Sequence, residues 1–278
     1  MKTRQLELLV AAVTAVAMLV LTISVQRLAM PGRIEGNTVV AVPPIIVFPD
    51  FAGISDVLLK KQQFFDFFED YIVTENIRIK LLRGQLLKNA DIVNNDIALS
   101  SREREWMQEL AQSYGLKMAQ SSDREVANEL VLRVDVIPVS LALAQAANES
   151  AWGASRFVLE GYNVFGQWCY VEGCGMVPQR RISGATHEVK RFDSIAASVK
   201  GYFNNINTHH LYTHLRELRA FMHNQQQTLD PMVLAYGLSH YSERGEHYVA
   251  EIKNIIIQNK LRNRDRLVNS IGSIDPLH

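Results

Sequence analysis

The chain has 278 residues, 47% of them apolar and 21% charged, enough for a buried core of enzyme size with room for extensions. Its 29 Lys and Arg balance its 29 Asp and Glu. There is therefore no global basic field to draw a nucleic acid and no acidic one to repel an anionic partner.

The first thirty residues stand apart. Lys2 and Arg4 precede Leu8–Val25, a stretch without charge. A bilayer core of about 30 Å takes roughly 20 apolar residues as a helix. Secretory apolar regions are shorter, and Ala29-Met30-Pro31-Gly32 is a poor cleavage site. Residues 1–30 are therefore expected to be an uncleaved anchor in the inner membrane, with a removed signal as the alternative. Arg27 and Arg33 beyond the segment weaken the charge argument for orientation. Either way, the rest of the chain is expected outside the cytoplasm, single-pass with a periplasmic domain or soluble in the periplasm.

Residues 31–54 hold four prolines and three glycines and read as a linker. From Asp56 to Arg83, apolar residues recur at spacings of three and four, including Phe64, Phe65, Phe67, Phe68 and Tyr71. This long helix is expected to bury its phenylalanines against the following domain rather than in a partner groove. Helix continues through Leu86–Ala119, with Ser100 or Ser101 as N-cap and Gly115 just past its end. Residues 55–119 are thus a helical extension, 120–265 the main domain, and 266–278 a tail. In the main domain, Glu125–Arg133 is a short helix and "VIPVSLALAQAANES" a central one, with Pro138 near its first turn. Val158–Phe192 is punctuated by glycines and contains a hairpin signal at Ser183-Gly184. Four more helical stretches follow, beginning at Ser194, Leu211, Met232 and Glu246. The class is α+β, mostly α, with one small β-hairpin lobe directly after the central helix.

Glu149 ends that apolar helix beside Trp152 and Gly153. A carboxyl in such surroundings is desolvated, and its pKa should rise, as a general acid requires. Read without any resemblance, the residues favour a Glu149 that faces solvent or pairs with Arg156 at the helix end. Cys169 and Cys174 flank four residues that include Gly173; in an oxidising compartment they can close a small disulfide loop, the alternatives being two thiols or, least, a metal site. His209, His210 and His214 lack the carboxylates of a metal set. No metal or cofactor is expected.

"LAQAANESAWGASRF" followed by "YNVFGQW" resembles the signature of bacterial peptidoglycan N-acetylglucosaminidases of glycoside hydrolase family 73, the flagellar-muramidase-like group. Asn148 and Val164 depart mildly from that pattern. A closer likeness, to one membrane or periplasmic member of this kind, runs through residues 49–68, 165–175 and 184–209. The resemblance implies a lysozyme-like fold and hydrolysis of the β-1,4 bond after N-acetylglucosamine in murein. It implies Glu149 as general acid, with Ser150, Trp152 and Gly153 shaping the helix end. The indole would cover the acid, and Gly153 would admit chain or sugar. Asn163, Phe165 and Gly166 match a turn that lines the cleft. Tyr241 matches a tyrosine that would orient water or the N-acetyl group, and Tyr248 a second one, for core packing or for substrate. Trp168 is a candidate to stack on sugar, as is Tyr170, unless they cover the disulfide loop.

The second carboxylate is Glu188 first, then Glu172; Asp193 or none at all remains open. With none, the sugar's acetamide could serve as nucleophile. Peptidoglycan is the expected partner, and no nucleic acid is. The competing function is a non-catalytic murein-binding or scaffolding protein of the envelope. Amidase chemistry on stem peptides lacks the metal or nucleophile set it needs.

Overall fold

The computed structural model describes residues 48–117, 121–179, 181 and 184–265. The expected anchor, residues 31–47 of the linker, Ser183 of the hairpin signal and the tail lie outside them. No described helix is long and apolar enough to cross a membrane.

Helix α1, Val57–Asn94, is one unbroken 38-residue element where the sequence pattern divides it at residues 83–86. Asp56 starts it by accepting the amides of Leu58 at 2.8 Å and Leu59 at 3.1 Å. Helices α2 (Ser101–Ser113) and α3 (Asp123–Arg133) each begin with a capping box, Ser100 with Glu103 and Ser122 with Glu125. Gly115, at φ +68°, ends α2 in the left-handed conformation.

The central helix α4, Val139–Glu149, is buried from Val139 through Ala147. Pro138 sits one residue before it and offers no capping side chain. Asp265 supplies one from far along the chain, accepting the Ser140 amide at 2.8 Å and its hydroxyl at 2.7 Å. A short helix α5 (Arg156–Gly161) leads into a three-stranded antiparallel sheet in the order β1-β3-β2. The strands are β1 (Trp168–Cys169), β2 (Gly175–Met176) and β3 (Glu188–Lys190), with Cys169 opposite Glu188 and Met176 opposite Val189. The expected hairpin is the β2–β3 pair, and β1 joins the other edge of β3. Helices α6 (Ile195–Thr208), α7 (Thr213–Asn224), α8 (Pro231–Leu234) and α9 (Glu246–Gln258) complete the helical body, with 3-10 turns at His210–Tyr212, Ala235–Leu238 and Leu261–Asp265. The fold is mostly helical α+β, as the sequence indicates and as a lysozyme-like architecture requires.

Helix α1 packs on α3, α4 and α6, and α9 packs on α4. Phe64 and Phe68 of α1 are fully buried, so the phenylalanine cluster is core. The linker boundary moves as a result. Phe51 is 1% exposed and meets Phe64 edge-on at 5.4 Å, while Phe48 meets Phe67 at 5.6 Å. Packing begins by Phe48, because the aromatic residues ending the proline-rich stretch bury apolar surface on α1.

A polar cluster locks α7 to the turn between α3 and α4. Arg219, fully buried, donates to the carbonyls of Asp135 at 3.2 Å and Val136 at 3.1 Å. The Asp135 carboxylate takes His223 at 2.7 Å and lies 3.6 Å from Arg83.

Candidate active site

Glu149 is the last residue of α4, partly exposed while the helix behind it is buried. Burial raises its pKa above the usual carboxylate range; the Tyr248 hydroxyl and the Asn148 amide oppose that rise, as does the charge of Arg244, and the nearby Glu251 carboxylate adds to it. Asn148 Nδ2 lies 3.3 Å from Glu149 Oε1. The side chain is neither turned out to bulk water nor held in an ion pair among the described residues.

The turn Asn163–Gln167 passes beside it. Gly166, at φ +65°, brings its backbone so close that an added Cβ would lie 3.5 Å from Glu149 Oε2. Asn163 secures this turn to the sheet: its Nδ2 donates to the carbonyls of Gln167 and Lys190, both at 2.8 Å, and its Oδ1 accepts the Gln167 amide at 3.0 Å. Phe165 stacks on Tyr202 at 3.9 Å, and its carbonyl accepts the Tyr241 hydroxyl at 2.8 Å. Tyr241 stacks on Tyr248 at 5.4 Å. The Tyr241 hydroxyl therefore fastens the loop before α9 to the Asn163 turn, rather than pointing free at a substrate. Burial raises the pKa of both tyrosines well above 10, so both stay protonated as donors.

Several expectations change when side chains are placed. Trp152 packs on α1. It lies edge-on against Phe64 at 5.6 Å and Phe65 at 5.4 Å, with Lys61 Nζ 5.0 Å from its ring centre. The reason is the backbone: Ala151, Trp152 and Gly153 all have positive φ, which swings the chain off the helix axis toward α1. Gly153 makes room for Phe51 rather than for a sugar, since a Cβ there would meet Phe51 Cδ2 at 2.5 Å. Ser150 is buried and accepts the Gly153 amide at 2.9 Å. Ser150, Asn163, Phe165 and Tyr248 are all enclosed by protein, so they frame the site and offer ligand no free side-chain surface.

Glu188 is 6% exposed, on β3. Its oxygens accept the amides of Gly173 at 3.1 Å and Gly175 at 2.8 Å, and these bonds hold its pKa below the usual range. It anchors the loop closed by the Cys169–Cys174 disulfide. Glu172 and Asp193 are exposed. Cys169, Cys174 and Glu188 converge, but the disulfide takes both sulfurs out of metal-ligand chemistry. Trp168 is half exposed and stacks on His187 at 4.0 Å, a flat aromatic face on the β-lobe, and Tyr170 is exposed nearby.

Sequence reading missed Gln145, one turn before Glu149 on the same face of α4 and fully buried. Its spacing of four from Glu149 was the available signal. It also missed Arg244 and Glu251, an ion pair whose guanidinium lies 5.4 Å from the Tyr248 ring centre.

Residues 124–261 match the glucosaminidase family described as mannosyl-glycoprotein endo-beta-N-acetylglucosaminidase. The chain is 28% identical over 200 residues to protein bax of Escherichia coli strain K12, covering 72% of this chain and 70% of the relative. No solved structure matches it at a significant level. The matched region opens inside α3 and ends at Leu261, so it contains Glu149, the sheet and α9, and leaves α1 outside. The chain is a Bax-like glucosaminidase-domain protein.

Proposed function

We propose that the protein is a peptidoglycan hydrolase of the cell envelope that cleaves the β-1,4 bond after N-acetylglucosamine in murein glycan strands. The observation that supports this best is Glu149: a partly exposed carboxyl at the end of a buried helix, its pKa raised by burial, with the Asn148 amide 3.3 Å away. Glu149 gives its proton to the glycosidic oxygen as the bond from the anomeric carbon breaks, so the leaving sugar departs as a neutral alcohol. Water supplies the hydroxyl that ends on the anomeric carbon.

Glu188 is not assigned the second carboxylate's role, because it is buried and accepts two amides. The substrate's own acetamide is the better candidate to attack the anomeric carbon, with water opening the resulting ring. The Trp168–His187 face supplies a stacking platform for a sugar. An N-terminal anchor in the inner membrane, or a cleaved signal, places the domain in the periplasm beside its substrate.

The occupied carboxylate of Glu188 favours one second reading, a protein that holds murein without cutting it. A zymogram on murein with wild type and Glu149→Gln, followed by mass spectrometry of soluble fragments, separates the two. Wild-type fragments with N-acetylglucosamine at the reducing end, and none from the variant, are expected. Equal clearing by both removes Glu149 as the acid; binding of murein with no fragments from the wild type supports the second reading.

A further inference from the structure

Behind Glu149 runs a line of three buried side chains that the proposed chemistry has not used. Tyr202 on α6 places its hydroxyl 2.6 Å from Gln145 Oε1, and Gln145 Nε2 lies 2.9 Å from the Tyr248 hydroxyl. Tyr248 also acts on Glu149, opposing the rise that burial gives the carboxyl's pKa. Tyr202, Gln145 and Tyr248 are each 0% exposed, so no solvent competes for these groups.

The order of donors in this line follows from valence. The Tyr202 hydroxyl has Gln145 as its hydrogen-bond partner among the described residues, and a buried proton left without an acceptor is costly. Tyr202 therefore donates, which turns the oxygen of the Gln145 amide toward it. The amide nitrogen then faces Tyr248 and occupies a lone pair on its oxygen. Tyr248 has one proton left to place, and it goes to Glu149. With the amide flipped, Tyr202 would accept, Tyr248 would donate back to Gln145, and Glu149 would face a lone pair.

We propose that Gln145, set by Tyr202, is a positioning residue that forces the Tyr248 hydroxyl to donate to Glu149, leaving the other carboxyl oxygen to carry the proton that the substrate receives. This rests on Glu149 being the acid. The arrangement serves both halves of the step. Before transfer, the oxygen that accepts from Tyr248 holds no proton, so the acid proton sits on the other. After transfer, the new carboxylate keeps a donor already in place, with no reorganisation at the moment of reaction. The charged and titratable groups around Glu149 are Arg244 and Glu251 from the α9 side, with Tyr202, Tyr212 and Tyr241 within its field. None of these needs to change for the line to work.

The test uses Tyr248→Phe, Gln145→Met and Tyr202→Phe in the full chain, each close in volume to the residue replaced. Glu149 is titrated by carbonyl NMR on protein labelled with 13C-glutamate, its signal identified by its loss in Glu149→Gln. The murein-hydrolysis pH profile is measured in parallel. The Tyr248 bond stabilises the ionised form, so Tyr248→Phe should move the Glu149 titration and the basic limb of the profile to higher pH. Gln145→Met and Tyr202→Phe should move both in the same direction, by less. kcat should fall roughly tenfold in Tyr248→Phe, the loss of one hydrogen bond to a charged group. Tyr202→Phe touches neither Glu149 nor Tyr248 and keeps its ring stacked on Phe165, so it reports on the line even where Gln145→Met fails to fold. An unmoved Glu149 titration in Tyr202→Phe and Tyr248→Phe overturns the proposal, as does a loss of rate without any shift in pH. The NMR arm needs no activity, so failure of the hydrolase reading appears separately, as wild type without fragments or an active Glu149→Gln.

Discussion

Gly153→Ala adds one methyl group at the point where the chain leaves α4 and meets α1, and the geometry sets its cost. The new Cβ would stand 2.5 Å from Phe51 Cδ2 and 3.3 Å from Phe51 Cε2, against the roughly 3.5–4.0 Å of normal carbon contact. Phe51 cannot retreat, since it is buried against Phe64 and Phe67. The backbone is also wrong for alanine: φ is +79°, a left-handed position that costs an L-residue about 1–2 kcal/mol. Overpacking adds about 1–3 kcal/mol, for a total of roughly 2–5 kcal/mol and a Tm lower by about 5–15 °C. Urea and thermal unfolding of four proteins, wild type, Gly153→Ala, Phe51→Ala and the double variant, would resolve the two contributions. Phe51→Ala alone should cost about 3–5 kcal/mol by emptying a core site. In the double variant the clash is gone and only the backbone strain remains, so it should be about 1–3 kcal/mol more stable than the sum of the singles implies. Additivity within about 0.5 kcal/mol would mean that Gly153 and Phe51 do not press on each other. The packing of residues 48–54 into the domain would then be wrong.

Two further outcomes follow from buried charge. Burial alone would raise the Asp135 pKa, but the His223 hydrogen bond and the charges of Arg219 and Arg83 outweigh it and hold the folded value low. Its contribution to stability is thus complete above the unfolded value near 3.9 and is lost as pH falls through the folded value. Asp135→Asn, which strands Arg219, should lose about 3–5 kcal/mol at pH 7 in urea unfolding, with the gap to wild type closing only below about pH 4; a gap that does not change with pH would contradict this. Glu149 has the opposite sign. Its folded pKa is raised, so ionising it destabilises the fold as pH rises through that value. Glu149→Gln should therefore melt higher than wild type at pH 7 to 8, the advantage disappearing below about pH 4.3. A melting point equal to or below that of wild type at pH 8 would show that Glu149 is not desolvated.

Much of the local structure was legible because it is written in neighbouring residues. Asp56 and Ser100 start helices through contacts two or three residues away, and Gly115 ends one by its own backbone freedom. The period of the Phe64–Tyr71 cluster marked a buried face, and the apolar run before Glu149 marked a carboxyl at the end of a buried helix. The boundary at residue 54 failed because proline and glycine content describes backbone stiffness and says nothing of where Phe51 finds its cavity. The partners of Trp152, Phe64 and Phe65, escaped the sequence for a related reason. Adjacency to Glu149 in sequence predicts adjacency in space only while the helix continues, and three positive-φ residues end it.

The sequence by itself misjudged the length of the first helix, which runs unbroken to Asn94 and is followed by a gap before Ser101. It determined several helix starts, which faces are apolar, that a carboxyl sits at the end of the most buried helix, and that two cysteines lie close enough to pair. Each of these is decided by residues within about one helical turn of one another, or a loop of the same scale. Tertiary structure alone decided what surrounds that carboxyl: Gln145 meets Tyr248 across 103 residues, and Tyr241 meets Phe165 across 76. It also decided that Glu188 faces the amides of its own lobe, and that the cap of α4 comes from Asp265, 125 residues beyond Ser140. Hydrogen bonds in a core depend on a few tenths of an ångström in three dimensions, and no linear pattern carries that information until the helices have packed.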